Sequence, residues 1–330
     1  MTVVTNTFQT TSATVNRETL SDVVSRITPE DTPIYSMIEK IKVDGTHPEW
    51  STDDLAAPGD NIQLEGDDYT FGATTPAVRV GNYTQIMRKD GIISRTQNKT
   101  KEAGNDTKVK RQKLKKGIEL RKDVEYSIVA ANASVGGATR RSGSLSSWIE
   151  TNASRGGSGA NGGFNSGTGL TVAPTNGTLR TFTKTLLDST MQSGYQNGAN
   201  FKHVYGSSYI KSVFVTFMSD SNVAAFRYAA SNGKNNSIVA NADVYEGPHG
   251  KVFIHPNRVM SNAAAQARNV FLIDPEYLKW GWFDKIHEDK KVAKTGDAEK
   301  FVLIGEGELN PTNEKGLGVV ADVFGLTATT

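Results

Sequence analysis

The chain has 330 residues, 32 glycines, no cysteine and a formal net charge of +2. The missing thiols exclude disulfides, thiolate catalysis and cysteine-ligated zinc. The near-neutral balance argues against a dedicated nucleic-acid binder, and no apolar run approaches the ~18 residues of a membrane span. The length suits one large domain or two ordinary ones. The N-terminus, MTVVTNTFQTTSATVNRETL, lacks the basic-then-apolar order of a signal peptide, so a protein made and kept in a cytoplasm is expected.

Residues 1–15 are Thr-rich and read as an extended arm. Asn16 can cap a short helix in which Leu20, Val23, Val24 and Ile27 follow an i, i+3, i+4, i+7 pattern, and Thr28-Pro29 ends it. Thr32 with Pro33 opens a second turn, whose apolar face is Ile34, Met37 and Ile38.

Residues 44–78 carry eight acids and no Lys or Arg: Asp44, Glu49, Asp53, Asp54, Asp60, Glu65, Asp67 and Asp68. Pro48, Pro58, Gly59, Gly66, Gly72 and Pro76 break any regular element. So long a loop suits a two-stranded excursion that rests on another surface through Trp50, Leu55, Ile62, Leu64, Tyr69 and Phe71. The returning strand is expected at 77–85, with Val78, Val80 and Asn82 alternating against Arg79, Gly81 and Tyr83.

The charge then reverses: residues 99–122 hold ten Lys or Arg against three acids. The spacing predicts one long helix over 107–134, roughly 40 Å at ~1.5 Å per residue. Val109, Leu114, Ile118, Leu120, Val124, Ile128 and Val129 share one broad arc. Lys115, Lys116, Glu119, Lys122 and Asp123 lie opposite. Arg121 and Glu125, four apart inside the apolar arc, are spaced to pair with each other or with a neighbour. Gly117 costs about 1 kcal/mol against Ala and marks a candidate bend. The acidic loop and basic helix are either two solvated faces or complementary surfaces of adjacent subunits. In a third reading Lys108, Lys110, Arg111, Lys113, Lys115 and Lys116 face nucleic acid.

Residues 134–177 are rich in Gly, Ser, Asn and Thr and read as a flexible loop, with Leu145, Trp148 and Ile149 as one anchoring turn. Gly157 to Gly162 match G-x-G-x-x-G, yet the flanking sequence supplies neither the strand nor the helix of a dinucleotide site. A helix is expected at 179–195, and 208–218 reads as helical or buried. Strands are expected at 201–205, 242–245 with 251–255 as a hairpin about Gly247-Pro248, 270–273, 300–304 and 318–324, and the aromatic run KWGWF (279–283) follows the Asp274-Pro275 stop. Helices and strands mix without βαβ alternation, so the fold class is α+β.

No chemistry stands out. His47, His203, His249, His255 and His287 form no tight ligand spacing, and His249 and His255, flanking one strand, stand ~20 Å apart. There is no phosphate loop and no G-x-S-x-G elbow. No catalytic, cofactor-binding or metal site is expected, and no enzyme.

Four stretches carry a resemblance: ETLSDVVSRITPEDTPIYSMI (18–38), VGNYTQIMRKDGIISRTQ (80–97), ELRKDVEYSIVAAN (119–132) and NVFLIDPEYLKWGWF (269–283). Their order resembles the major capsid proteins of tailed bacteriophages, of the Hong Kong 97 type, and in particular the major head proteins of the phage SU-ten group. The resemblance spans nearly the whole chain. It implies an N-terminal arm (1–43), an extended loop (44–98), a peripheral domain (99–177) with the spine helix 107–134 and the Gly-rich loop, an axial domain (178–268) and C-terminal strands (269–330) returning to the peripheral domain.

The resemblance further implies self-assembly into hexamers and pentamers of an icosahedral head around double-stranded DNA. The shell would form in the bacterial cytoplasm with a scaffolding protein and a portal, then expand during packaging. A decoration protein is a further partner the resemblance allows, and a membrane is not. Inter-subunit contacts are expected at Trp50, Asp53, Asp54, Asp60, Asp67, Asp68, Tyr69 and Phe71 against Lys110, Lys113 and Lys116. Some relatives crosslink through a loop lysine; none lies between Lys42 and Lys89, so no crosslink is expected. Others carry a fused scaffold ahead of the arm; about 43 residues precede the loop, which implies a separate one. The competing readings are a tail-tube or decoration component and a nucleic-acid binding module.

Overall fold

The structure is a computed structural model that describes residues 28, 31–69, 71–100, 108–217, 243–293 and 296–328. The helix expected after Asn16 lies outside the described residues. In chain order, α1 (Pro33–Met37) and β1 (Glu39–Lys42) precede a ribbon of β2 (Glu49–Thr52) and β3 (Val78–Gly81). Next come β4 (Gln85–Ser94), α2 (Arg95–Lys99), the long α3 (Lys108–Val129) and α4 (Leu145–Trp148). The short β5 (Ala153–Ser154), β6 (Gly163–Asn165) and β7 (Leu170–Val172) lead to α5 (Lys184–Gln196), β8 (His203–Gly206) and α6 (Ser208–Phe217). The chain closes with β9 (Val244–Gly247), β10 (Gly250–Pro256), α7 (Arg258–Ser261), α8 (Ala264–Ala267), β11 (Val270–Ile273), β12 (Leu278–Glu288), β13 (Ala298–Pro311) and β14 (Leu317–Val320).

Two sheets carry the architecture. One has the order β1-β12-β13-β4, the other β5-β14-β11-β8-β10-β9. The second is apolar on both faces, and β11 shows why. Phe271 and Ile273 join a core with Val124, Ile128 and Trp148, while Val270 and Leu272 join a separate core with Leu187, Met191 and Phe214 of α5 and α6. A strand covered on both sides reads as a continuous apolar run, which VFLI is. In the first sheet, Trp280 and Leu309 point into the same core as α3.

Several sequence expectations are corrected. The long helix α3 stops at Val129 rather than continuing to 134. α4 and its cap residue hold the chain just past the helix end: the Ser146 hydroxyl donates to Ala130 O at 2.8 Å, and Asn132 N donates to Ser144 Oγ at 2.9 Å. Leu114, placed in the apolar arc, is 64% exposed, because burial is concentrated at Leu120, Val124, Ile128 and Val129. Helix α5 starts at Lys184, not at 179. Arg180 is held in a parallel bridge to Val323, and Thr183 caps the helix by accepting from Leu186 N.

The expected returning strand is two strands. β3 ends at Gly81, and Asn82, fully buried, breaks the run by donating to Leu309 O (2.6 Å) and accepting from Gly143 N (2.8 Å) before β4 begins. The expected strand 300–304 falls in the first half of the 14-residue β13.

The Gly-rich segment is a packed part of the fold and not a flexible loop. Residues 142–149 are buried throughout, and Trp148 stacks on Phe164 of β6 with ring centroids 5.6 Å apart. Its glycines allow backbones to touch: a Cβ at Gly156 would stand 2.1 Å from Thr178 O. No helix opens after Gly162; β6 follows instead.

Candidate assembly interface

The acidic excursion is rooted firmly and then runs free. At its base β2 and β3 pair antiparallel, Trp50 opposite Val80. The expected two-stranded form is confined to this base; among the described residues of 53–77 there is no strand. Trp50, expected against a neighbour, is half-buried in its own chain, its ring 5.6 Å from Trp148. An aromatic next to the ribbon's pairing finds the core first. Asp54 also turns inward, to Lys315 at 2.7 Å. Beyond this root Leu55, Ile62, Leu64, Tyr69 and Phe71 are 78–99% exposed. Asp53, Asp60, Asp67 and Asp68 are exposed around them. Among the described residues, Asp54 is the one loop aspartate of these five that meets a cation.

The basic face is partly self-satisfied. Lys110 is exposed. Lys113 pairs with Glu288 at 2.6 Å and lies 5.7 Å from the Phe301 ring centroid. Lys116 pairs with Glu119 at 2.9 Å, and this contact holds the Glu119 carboxyl below its ordinary pKa. Lys110, Lys113 and Arg121 rim a groove of about 500 Å³ floored by Tyr35, Ile118 and Trp282. Gly117 lies in this groove. α3 runs through it without a break, and a Cβ there would meet only Leu303 Cδ1, at 3.9 Å.

Three features escaped the sequence reading. Glu125 does not pair with Arg121. Fully buried, it accepts from Ile34 N (3.1 Å), Tyr35 N (2.8 Å) and Asn257 Nδ2 (2.6 Å). Burial pushes its pKa up, and these three bonds pull it partly back. The carboxylate thus caps α1 from α3, while Asn257 caps α7 by accepting from Val259 N and Met260 N. A glutamate in the apolar arc of a helix was the available signal.

The second feature is a histidine pair. His203 Nδ1 and His255 Nε2 lie 3.0 Å apart across β8 and β10, with Tyr205 stacked on His255. Burial lowers both histidine pKa values and raises that of Tyr205. Parallel register places Phe253 opposite His203, which no sequence spacing reveals. The third is Glu308, fully buried in β13. Among the described residues no group of three or more His, Asp or Glu is placed to hold a metal, and no helix is long and apolar enough to cross a membrane.

The sequence profile of the SU10 major capsid protein matches residues 3–324. The chain belongs to this family of phage major capsid proteins. The major capsid protein of Escherichia phage Phieco32 is 36% identical over 111 residues, which are 33% of this chain and 32% of that protein. The match therefore spans about a third of that relative's length. Among solved structures, a chain of the cyanophage A-1(L) capsid asymmetric unit superposes with a TM-score of 0.61 at 12% identity, covering 96% of this chain and 99% of that one. A Gordonia phage Cozz chain gives a TM-score of 0.58 at 13% identity over 94% and 92%. These likenesses are of fold, and the α+β capsid fold of Hong Kong 97 type is the fold of this chain. Family membership decides against a tail or decoration component.

Proposed function

We propose that this capsid protein builds an icosahedral phage head from hexamers and pentamers of itself, enclosing double-stranded DNA, and that its role is architectural rather than catalytic. The observation that carries the reading is the loop. Five large apolar side chains, 78–99% exposed, sit in an acidic stretch rooted by Trp50 and Asp54 in its own subunit. Exposed apolar groups concentrated in one segment mark a surface made to be covered. The cover proposed is the basic face of the adjacent subunit, with Asp53, Asp60, Asp67, Asp68, Tyr69 and Phe71 meeting a surface that includes Lys110, Lys113 and Lys116.

In this reading residues 1–43 are the arm, 44–98 the extended loop, 99–177 the peripheral domain, 178–268 the axial domain and 269–330 the returning strands. A separate scaffolding protein and a portal take part in assembly in the host cytoplasm, DNA is contacted non-specifically, and a decoration protein is a further partner. The absence of lysine from residues 43–88 supports a shell held without covalent crosslinks through this loop. Electron microscopy of the protein expressed with and without its neighbouring genes tests the proposal. Closed shells of uniform diameter are expected with those genes, and irregular sheets or polyheads without a scaffold. Persistent monomers in both preparations would overturn it.

A further inference from the structure

At one end of the six-stranded sheet four segments converge: residues 154–156 at the end of β5, 177–180 before α5, Arg268 before β11, and 321–323 after β14. Asp322, fully buried and with φ of 60°, is their centre. Its carboxylate accepts from Arg268 Nη2 at 2.6 Å and from Gly156 N at 3.0 Å. Its backbone carbonyl accepts from Arg180 N at 2.7 Å. The charges of Arg155 and Arg180 act on the same carboxylate. Three guanidiniums thus share one carboxylate, leaving two positive charges in excess where burial disfavours charge.

The donors are unequally used. Arg180 is satisfied, giving Nη2 to Ser154 Oγ (2.8 Å) and to Ala321 O (3.2 Å). Arg155 gives Nε to Asn161 Oδ1 at 3.1 Å, but its Nη2 is buried with no acceptor among the described residues. Arg268 Nε is in the same condition. Ser154 Oγ accepts from Arg180, and its own proton has no acceptor among the described residues. Both orphaned N–H groups are sealed from solvent, so what they add to the site is uncompensated positive charge and not a donor that a ligand reaches directly.

A cleft of about 340 Å³ is lined by Ser154 and Arg155 on one side and by Thr190 and Ser193 of α5 on the other, with no acidic side chain in its wall. Thr190 Oγ1 donates away from the cleft, to Leu186 O, and Ser193 Oγ donates to Asn152 Oδ1. These two hydroxyls therefore have lone pairs rather than protons to offer. The cleft combines a cation and a free hydroxyl proton with acceptors opposite. That pattern suits an oxyanion that also carries O–H groups, as hydrogen phosphate does at neutral pH and sulfate or a phosphodiester does not.

We propose that this cleft binds inorganic phosphate, held by Arg155 and the Ser154 hydroxyl, with Arg268 adding charge behind them. The ligand would neutralise the arginine excess and fasten the segment around residues 154–180 to the end of the sheet. The site belongs to the subunit and does not rest on the shell reading.

The test is thermal unfolding of the purified full-length chain against phosphate, with sodium chloride adjusted to constant ionic strength. A saturable rise in Tm is expected, since a ligand of the native state stabilises by mass action. Sulfate should give a smaller rise, and a short DNA duplex at equal phosphate content no Arg155-dependent rise. Arg155→Gln should abolish the phosphate response, Ser154→Ala should weaken apparent affinity several-fold, and Lys290→Gln, an exposed lysine outside the cleft, should leave it intact. Should Arg155→Gln fail to fold, Ser154→Ala and broadening of the ³¹P signal by the wild-type chain decide the question. The proposal is overturned by an unsaturable response or none, by equal responses to phosphate and sulfate, by a duplex response that needs Arg155, or by a response unchanged in the Arg155 and Ser154 variants.

Discussion

Glu308 offers a prediction with a definite sign. It stands in β13 opposite Gly281 of β12, fully buried, and neither carboxylate oxygen has a hydrogen-bond partner among the described residues. Burial pushes its pKa from the ordinary 4.5 up to about 9, even though the Asn310 side chain pulls the other way. The group is therefore neutral in the folded chain at pH 7 and ionised in the unfolded one. A carboxyl whose folded-state pKa is raised contributes fully below the unfolded value, and that contribution is lost as pH rises from 4.5 towards about 9. At pH 7 the loss amounts to about 3 kcal/mol.

Glu308→Gln keeps the shape and removes the titration. Unfolding of the unassembled subunit, followed by denaturant or heat, should show the variant more stable by about 3 kcal/mol at pH 7, roughly 5 °C or more in Tm. The difference should shrink towards zero near pH 4 and widen up to pH 9. Glu308→Ala should instead destabilise, because the glutamate stem fills space. A Cβ at Gly281 would already stand 3.2 Å from Glu308 Cγ and 2.7 Å from Val43 Cγ1. A Gln variant less stable than wild type by the same margin at every pH would refute the neutral-acid assignment.

The other expectations concern the arm, the loop, the histidines and the spine. Glu125→Ala leaves three donors without an acceptor; it should cost about 3 kcal/mol or more and speed amide exchange at Ile34 and Tyr35, and unchanged exchange there would contradict the clamp. Reversing Asp53, Asp60, Asp67 and Asp68 to Lys should abolish shells while circular dichroism stays that of the folded subunit, and shells that still close would remove the electrostatic part of the docking. Tyr69→Ala and Phe71→Ala should weaken assembly alone, whereas Trp50→Ala should destabilise the subunit itself by about 2–3 kcal/mol. The lowered pKa values of His203 and His255 make their contribution complete above 6.5 and lost as pH falls below it; His255→Phe should flatten the fall in Tm between about pH 7 and pH 5. Gly117→Ala has room for its methyl group and should stabilise the subunit by about 1 kcal/mol, and altered expansion of its shells is the outcome a spine bend requires.

What the sequence disclosed follows from the range of the forces involved. Periodicity is local, so the body of α3 and the apolar β11 were readable, although α3 ends five residues short of the expected 134. Loop chemistry is also local, which is why the acidic excursion could be bounded from its composition. Long-range partners were not readable. Trp50 looked like a contact residue because nothing near it in sequence reveals that Trp148 and Phe164 complete its stack. Glu125 looked like half of an i, i+4 pair because its true donors lie 90, 91 and 132 residues away. The glycines of 134–177 carried the composition of a linker, and only the backbones pressed against them show a packing role. Competition for partners across the fold decided each of these cases, and a linear pattern does not encode that competition.

The same competition assigns roles within the proposed interface. Residues the subunit could use, it used: Trp50 entered the core, and Lys113, Lys116 and Asp54 found ion pairs at home. Such exposed pairs are worth about 0–1 kcal/mol each, so they can be exchanged for inter-subunit pairs at little net change. The five exposed apolar side chains have no such alternative. Fully buried, each would contribute about 1.5–3 kcal/mol, of the same order in sum as the 4–15 kcal/mol that association costs in lost freedom. One loop on one neighbour would then nearly break even, and isolated dimers would be scarce. A closed ring, in which every subunit gives one loop and receives another, adds a contact without another full loss of freedom. Assembly built this way is steep in concentration and its early errors dissociate, while the charges set where each loop lands and the apolar residues set how firmly it stays.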